Sequence, residues 1–180
     1  AISKVSTDLV GKYFFEAFNL KILITRMFTH TGPRRGDVFA ESSFAKQIAL
    51  IENKKMPNVV KVGNLKSLRT YADVRDAVRA YYLLLTKKPM PGEIYNIGGN
   101  FTCSVSDMLN YLISLSHVKN IKIKIDKERI RPIDADLQVP DTSKFYRHTK
   151  WKPQITFKKT MQDLLEYWRR KVKKNNFLDR

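Results

Sequence analysis

Helical and strand-like segments alternate along almost the whole chain, and this alternation limits the fold more than any other feature of the sequence. The clearest strand is IKIKID, residues 121–126, where isoleucine and a charged residue alternate with the period of two typical of a strand. The clearest helix is ADVRDAVRAYYLLL, residues 72–85, which has Asp73 in its first turn. Elements that alternate in this way predict an α/β fold.

The remaining elements follow from the periodicity of apolar residues and from Gly, Pro and Asn breaks. Helices are predicted at residues 3–18, 42–52, 104–116 and 156–172, strands at 20–28, 58–64 and 91–99, and a loop at 29–37. Ser42 or Ser43 is expected at the N-terminus of its helix. Ser104 and Asp107 have the spacing of a capping box. The stretch before the last helix is predicted to be rich in loops.

The charge of the chain is strongly unbalanced, with 34 Lys and Arg against 17 Asp and Glu and a formal net charge of +17. Such an excess indicates an anionic partner, either nucleic acid or a nucleotide or nucleotide-sugar. The lysines are scattered along the chain, however, and this favours a solvated basic surface. The densest run, WRRKVKK at 168–174, ends a predicted helix, where cations also complement the helix dipole.

Composition removes several other classes of function. No Cys/His cluster has metal-ligand spacing, so no metal site is predicted. No apolar segment of the sequence is long enough to span a bilayer, so no membrane partner is expected. The single cysteine, Cys103, cannot form an intramolecular disulfide, which predicts a reducing compartment, the cytoplasm.

Several short motifs occur in the order and spacing of a known protein family. They are TRMFTHTGPRRG at 25–36, VGNLKSLRTYADVRD at 62–76, YNIGG at 95–99, RPID at 131–134 and KWKP at 150–153. Together they resemble the extended short-chain dehydrogenase/reductase family, and PRRG favours its GDP-mannose 4,6-dehydratase branch. The family's catalytic motif is Y-x-x-x-K. Because the chain begins AISK, the tyrosine of that motif would directly precede Ala1.

The resemblance implies that the chain is the C-terminal part of such an enzyme. Residues 1–38 would be the last Rossmann elements, which carry the lysine of Y-x-x-x-K. Residues 39–180 would mainly form a small α/β domain that binds the nucleotide-sugar, with a returning Rossmann segment near 58–100. The G-x-G-x-x-G turn of a complete dinucleotide-binding domain does not occur in the sequence. The chain alone is therefore expected to be inactive.

The resemblance also assigns cofactor-binding residues. Lys4, His30 and Arg35 match residues that contact NADP, with NAD as the alternative cofactor. Lys4 would in addition be catalytic, because its charge would lower the pKa of a tyrosine one helical turn away. Considered without the family, Lys4 is an ordinary exposed helix lysine. The adjacent Arg34 and Arg35 suit phosphate even without the family, because the guanidinium group is a planar fork.

The substrate implied by the resemblance is GDP-mannose. Its matching residues are Thr29, Arg34, Asn64, Arg69, Arg131 and Asp134. Thr29 departs from the family's usual Asn, and keeps a hydroxyl while losing the amide. Arg69 and Arg131 match arginines that hold the diphosphate, and Asp134 can accept from a ribose hydroxyl. Asn64 serves equally well as the turn residue of Gly63-Asn64.

The function implied by the resemblance is that of an NADP-dependent lyase that converts GDP-mannose to GDP-4-keto-6-deoxymannose, with a homo-oligomeric parent enzyme. One alternative is a reductase acting on that product, or another nucleotide-sugar epimerase. The alternative from another class is a basic nucleic-acid-binding module, the less favoured hypothesis, whose affinity would fall steeply with salt. A third hypothesis is an assembly role for the helix at 3–18.

Overall fold

The protein consists of alternating helices and short strands, and the computed structural model describes residues 2–87, 89–130 and 135–175. The helices are α1 (Ile2–Phe18), α2 (Ala40–Glu52), α3 (Val74–Thr86), α4 (Val105–Ser114), α5 (Ser143–Thr149) and α6 (Phe157–Lys173), with a 3-10 turn at Lys127–Arg129. The strands are β1 (Ile24–Met27), β2 (His30–Thr31), β3 (Val59–Val62), β4 (Leu68–Asp73), β5 (Ile94–Ile97), β6 (Phe101–Ser104), β7 (Lys122–Ile125) and β8 (Leu137–Gln138). The predicted α/β class is confirmed.

Strand pairing is mostly parallel among the described residues. Strand β1 pairs with β5, β3 with β7, and both β2 and β8 with β4, while β6 runs antiparallel to β4. In the β2–β4 pair, Thr31 lies opposite Asp73. The loop that follows β2 and the helix that follows β4 therefore begin at the same edge of the sheet, where ligands bind in open parallel sheets.

Four short strands and one helix were not predicted. Strand β4 ends at Asp73, and α3 begins at Val74 rather than at residue 72, because the Asp73 carboxylate caps the helix by accepting from the Arg75 amide. Strands β2, β6 and β8 and helix α5 are short and depend on partners distant in sequence. The predicted capping box of Ser104 and Asp107 is confirmed.

The predicted cap of α2 is wrong. The residue at the N-cap is Phe39, whose side chain makes no capping hydrogen bond, and Ser42 and Ser43 are buried within the helix. The Ser42 hydroxyl donates to the Arg35 carbonyl at 2.7 Å and accepts from the Trp168 indole at 2.8 Å. Ser42 therefore joins the loop before α2 to α6 instead of capping a helix.

The described chain has two buried apolar clusters. The larger lies between α2, α4, α6 and the strands β3 and β4, and the smaller lies between α3, β5 and α5. No residue of α1 is buried, and its apolar side chains include Leu9, which is 60% exposed, and Phe18, which is 59% exposed. None of the described helices is both long and apolar enough to cross a bilayer.

Candidate functional site

The segment between β2 and α2 carries the PRRG sequence and forms a tight turn. The Arg35 amide donates to the Gly32 carbonyl at 3.1 Å, and Arg34 has a left-handed backbone with φ of 74°. Gly32 itself has φ of 144°, and a side chain there would also meet Val74 at 3.1 Å. Glycine is therefore favoured at this position, and the turn presents two adjacent arginines on a fixed backbone.

A cavity of about 550 Å³ lies against this turn, and we call it the arginine cavity. Its lining residues are His30, Thr31, Gly32, Pro33, Arg34, Arg35, Gly36, Phe39, Val74 and Arg75. The Thr31 hydroxyl is buried and has no hydrogen-bond partner among the described residues. Three guanidinium groups around one cavity create a site for an anion, and guanidinium groups bind phosphate oxygens in pairs.

Arg75 is the most firmly held of the three arginines. Its guanidinium donates to Asp73 at 2.7 and 2.8 Å and to Asp163 at 2.8 Å. The hydrogen bonds that Arg75 donates to the Asp73 carboxylate are the largest cause of the raised pKa of Arg75. Arg75 therefore forms salt bridges and also contributes to the wall of the arginine cavity.

A second cavity of about 510 Å³ lies beside the first, and we call it the polar cavity. Its lining residues are Thr29, Arg35, Val38, Phe39, Ala40, Glu41, Ser43, Phe44, Gly63, Asn64, Arg69, Tyr71, Val105, Glu128, Arg129 and Gln138. The Thr29 hydroxyl lies 3.5 Å from the Gln138 amide oxygen. The polar cavity thus combines cations, acids and neutral hydrogen-bonding groups, as a nucleotide-sugar requires.

Asn64 and Arg69 both make hydrogen bonds at the edge of this cavity. Asn64 donates to the Ser67 hydroxyl at 3.0 Å and accepts from the Lys66 amide at 2.9 Å, which is the turn role that the sequence left open. Arg69 donates to the carbonyl of Ala135. These contacts fix the two side chains at the edge of the cavity.

The structure brings some of the sequence-predicted residues together and leaves others apart. Thr29, Arg35, Asn64 and Arg69 share the polar cavity, and His30, Arg34 and Arg35 share the arginine cavity. Lys4 is exposed on α1 and is not one of the described residues that line either cavity. Arg131 and Asp134 lie outside the described residues.

Sequence reasoning missed several residues of the polar cavity. Arg129 lines it and donates to the Ser43 hydroxyl at 3.2 Å. Arg129 is two positions before Arg131, the arginine of the RPID motif. This spacing could have indicated a second cation near the same ligand, but the motif itself does not include Arg129. Glu41, which is 5% exposed, gave no signal because it resembles an ordinary acid in the first turn of a helix.

Tyr71 also lines the polar cavity, and it is the only tyrosine among the described lining residues of the two cavities. Burial, and next the charge of Glu41, raise its pKa strongly. The Tyr71 hydroxyl is therefore neutral near pH 7 and suited to hydrogen bonding rather than to proton abstraction.

The residues of the arginine cavity fit the phosphate groups of a dinucleotide cofactor. The Thr31 hydroxyl and Arg35 Nε make no hydrogen bond within the described residues, and Gly32 allows close approach, all of which suits a phosphate. A metal ion finds no comparable site in the described ranges, where no three His, Cys, Asp or Glu side chains are grouped suitably.

Comparison with known proteins identifies the family. A family model described as GDP-mannose 4,6 dehydratase matches residues 1–164. The chain belongs to the GDP-mannose 4,6-dehydratase family. The sequence resemblance to extended short-chain dehydrogenases is thereby confirmed.

Relatives of this GDP-mannose 4,6-dehydratase family member differ in the reaction for which they are named. The chain is 27% identical over 173 residues to GDP-6-deoxy-D-mannose reductase of Pseudomonas aeruginosa, covering 96% of this chain and 56% of the relative. It is 26% identical over 171 residues to GDP-mannose 4,6 dehydratase of Drosophila melanogaster, covering 84% of this chain and 42% of the relative. The chain therefore spans about half the length of these relatives.

A solved structure has the same fold. The structure of RMD from Pseudomonas aeruginosa complexed with NADPH superimposes with a TM-score of 0.86 at 26% identity, over 95% of this chain and 56% of that one. The fold is that of part of an extended short-chain dehydrogenase.

Proposed function

We propose that the polar cavity binds a GDP-linked hexose, and that the chain is the substrate-binding part of an enzyme that converts GDP-mannose to GDP-4-keto-6-deoxymannose. The observation that carries this proposal is the meeting of Thr29, Asn64 and Arg69 in one cavity of about 510 Å³. Arg129, in the same cavity, adds a second guanidinium for a diphosphate. The family match supports the substrate class.

Each side chain has a distinct role in this proposal. Arg69 and Arg129 hold the diphosphate, since two guanidinium groups neutralise its charge and bind its oxygens. The Thr29 hydroxyl contacts the hexose, and Asn64 forms the edge of the nucleotide site. We assign Arg131 to the diphosphate and Asp134 to a ribose hydroxyl from the sequence motif alone.

The arginine cavity would hold the phosphate groups of the cofactor through His30 and Arg35. Arg34 lines the same cavity, and we keep it as a substrate-binding residue, as the sequence motif assigns it. We propose NADP, with NAD as the alternative, and the NADPH bound to the Pseudomonas relative supports this choice. The cofactor would supply a reversible hydride acceptor. Lys4 would bind its nicotinamide ribose in the complete enzyme.

The proposal divides the chain as the sequence suggested. Residues 1–38 would belong to the cofactor-binding domain and residues 39–180 mainly to the nucleotide-sugar domain, with the segment near 58–100 returning to the cofactor-binding sheet. The parallel pairing of Ile24–Met27 with Ile94–Ile97 supports this return. The reducing compartment expected from Cys103 would be the cytoplasm, and the complete enzyme would be a homo-oligomer.

We expect the chain to bind ligand without turning it over. The G-x-G-x-x-G turn and the tyrosine of Y-x-x-x-K do not occur in the sequence, and burial raises the pKa of Tyr71, so Tyr71 does not replace that tyrosine as a base near pH 7. Incubation of the purified chain with GDP-mannose and NADP should therefore yield no keto-sugar. Steady formation of that product would contradict this expectation.

The test of the proposed function is calorimetric titration with GDP-mannose, GDP, UDP-glucose and a short DNA duplex at two salt concentrations. Binding that prefers the guanine nucleotides, and that weakens about tenfold in Arg69→Gln, is the expected result. Arg26→Gln is the matched control, because Arg26 pairs with Asp8 at 2.8 Å and is not among the described residues that line the cavities. Binding of DNA alone, with steep salt dependence, would instead support the basic-module hypothesis.

A second candidate function is reduction of the 4-keto product. The 27% identity and the TM-score of 0.86 with the Pseudomonas reductase favour it as much as the family model favours the dehydratase. Both candidates share a GDP-linked sugar. Tighter binding of the 4-keto-6-deoxy sugar than of GDP-mannose would favour the reductase, and the reverse order would favour the dehydratase.

A further inference from the structure

Arg35 occupies the boundary between the two cavities. Arg35 and Phe39 line both of them, and the Arg35 guanidinium carbon lies 3.4 Å from the centre of the Phe39 ring. Glu41, in the first turn of α2, lines the polar cavity. The charge of Arg35 can therefore act on a ligand in either cavity.

The ion pair between Arg35 and Glu41 is loose for its degree of burial. The Nε–Oε1 distance is 3.7 Å, longer than a hydrogen bond, and the side chains are only 23% and 7% exposed. Both facing atoms are buried without a hydrogen-bond partner among the described residues. Each atom thus carries a desolvation penalty that a better partner would remove.

Arg75, which also lines the arginine cavity, is held far more firmly than Arg35. Arg75 is fixed by hydrogen bonds to Asp73 and Asp163 at 2.7 to 2.8 Å. A movement of Arg75 would break several charged hydrogen bonds, whereas a movement of Arg35 gives up one long contact with Glu41 and its contact with the Phe39 ring. An incoming anion therefore displaces Arg35 more easily than Arg75.

We propose that Arg35 and Glu41 couple ligand binding in the two cavities, an inference that rests on the proposed function. A phosphate group in the arginine cavity draws Arg35 towards itself. The Glu41 carboxylate then accepts a hydrogen bond from a hydroxyl or N–H group of the nucleotide in the polar cavity. Glu41 is thus a binding residue whose availability is set by Arg35, and either ligand tightens the binding of the other.

The experiment measures this coupling with two small probes. Guanosine is uncharged and carries hydroxyl and N–H donors, and inorganic pyrophosphate is the anion. Guanosine is titrated by NMR into the whole chain with and without saturating pyrophosphate. We expect about tenfold tighter guanosine binding with pyrophosphate present, because a hydrogen bond to a charged group forms. The effect of pyrophosphate should persist in Arg69→Gln, which weakens the proposed diphosphate site of the polar cavity. The Arg35 Nε–H signal should shift when pyrophosphate is added.

Two variants separate coupling from general electrostatics. Glu41→Gln should reduce the effect of pyrophosphate to less than about twofold while pyrophosphate still binds, since a neutral amide is the weaker acceptor. Glu128→Gln removes the same charge from an exposed acid of the polar cavity and should keep the full coupling. If Glu41→Gln does not fold, Arg35→Lys replaces it, because Lys lacks the Nε–H and should also lose the coupling.

The outcomes distinguish this inference from the proposed function. Binding of both probes without mutual effect, or unchanged coupling in Glu41→Gln, would overturn the inference and leave the proposed function standing. Failure of the wild-type chain to bind either probe, or GDP, would overturn both. Strong coupling that is lost in Glu41→Gln and retained in Glu128→Gln would establish the link.

Discussion

The Thr160 hydroxyl donates to the Asp73 carboxylate at 2.8 Å, although the two residues are 87 positions apart in the sequence. Asp73 caps α3 at the edge of the arginine cavity, and Thr160 lies in α6. The contact therefore holds the last helix against the strand end that supports the candidate site.

Replacing Thr160 with valine should destabilise the chain by about 1.5 to 2 kcal/mol, because the buried carboxylate loses a donor and hydrogen bonds to charged groups are the stronger ones. Thr86→Val is the matched control, since the exposed Thr86 hydroxyl donates only to the Tyr82 carbonyl of its own helix among the described contacts. Urea unfolding of both variants measures the difference. Equal stability of the two variants would contradict the assigned role of Thr160.

The stability of the chain should fall in acid partly through Asp73. Burial opposes its ionisation, but hydrogen bonds from Arg75 and Thr160 outweigh burial, so its folded-state pKa is lowered. The stabilisation is complete above the unfolded pKa of about 3.9 and is lost as the pH falls through the lower folded value. The stability gap between wild type and Asp73→Asn, measured by urea unfolding, should therefore shrink below about pH 4. A stability difference between wild type and Asp73→Asn that stays constant down to pH 2 would contradict this role of Asp73.

Gly99→Ala should destabilise the chain by about 3 kcal/mol, because overpacking forces the backbone apart. A Cβ atom at Gly99 would lie 1.7 Å from the Tyr71 carbonyl oxygen, whereas at Gly36 the nearest atom would be 3.9 Å away. Thermal unfolding should show a much lower midpoint for Gly99→Ala than for Gly36→Ala. Similar midpoints would mean that Gly99 is not required for the close approach of the chain after β5 to β4.

Cys103 should react slowly with thiol reagents. Burial, and next the charge of Asp107, raise its pKa to about 11, so little thiolate is present near neutral pH. The rate of reaction with a disulfide reagent should keep rising with pH beyond pH 9. A plateau below pH 9 would show an activated thiol instead.

Arg129→Gln should weaken GDP binding about five- to tenfold, because one of the guanidinium groups near the diphosphate is lost. Lys127→Gln is the control. It lies in the same 3-10 turn, carries the same charge and is not a described lining residue of either cavity. Calorimetric titration with GDP compares the two. An equal loss of affinity in both variants would indicate only a long-range effect of charge.

Local features of the fold could be predicted because local forces decide them. The capping box at Ser104 and Asp107 and the period of residues 121–126 depend on neighbours within a few positions. Ser42 does not cap α2 because its hydroxyl instead bonds to partners outside the helix, including Trp168, 126 positions away. Tertiary contacts override propensity at such positions.

The site shows the same division. The order of the motifs predicted Thr29, Arg35, Asn64 and Arg69 as binding residues. All four line one cavity in the structure. Glu41 carried no such signal, because its importance comes from burial beside Arg35 and not from its local sequence.

The sequence by itself determined the α/β class, the family and the identity of the loop arginines, since periodicity, glycine positions and motif spacing are properties of neighbouring residues. Only the tertiary structure decided that Arg35 stands between two cavities, that Arg129 and Glu41 line one of them, and that Lys4 stays exposed on α1. These relationships depend on strand register and helix packing between distant segments, which local periodicity does not encode.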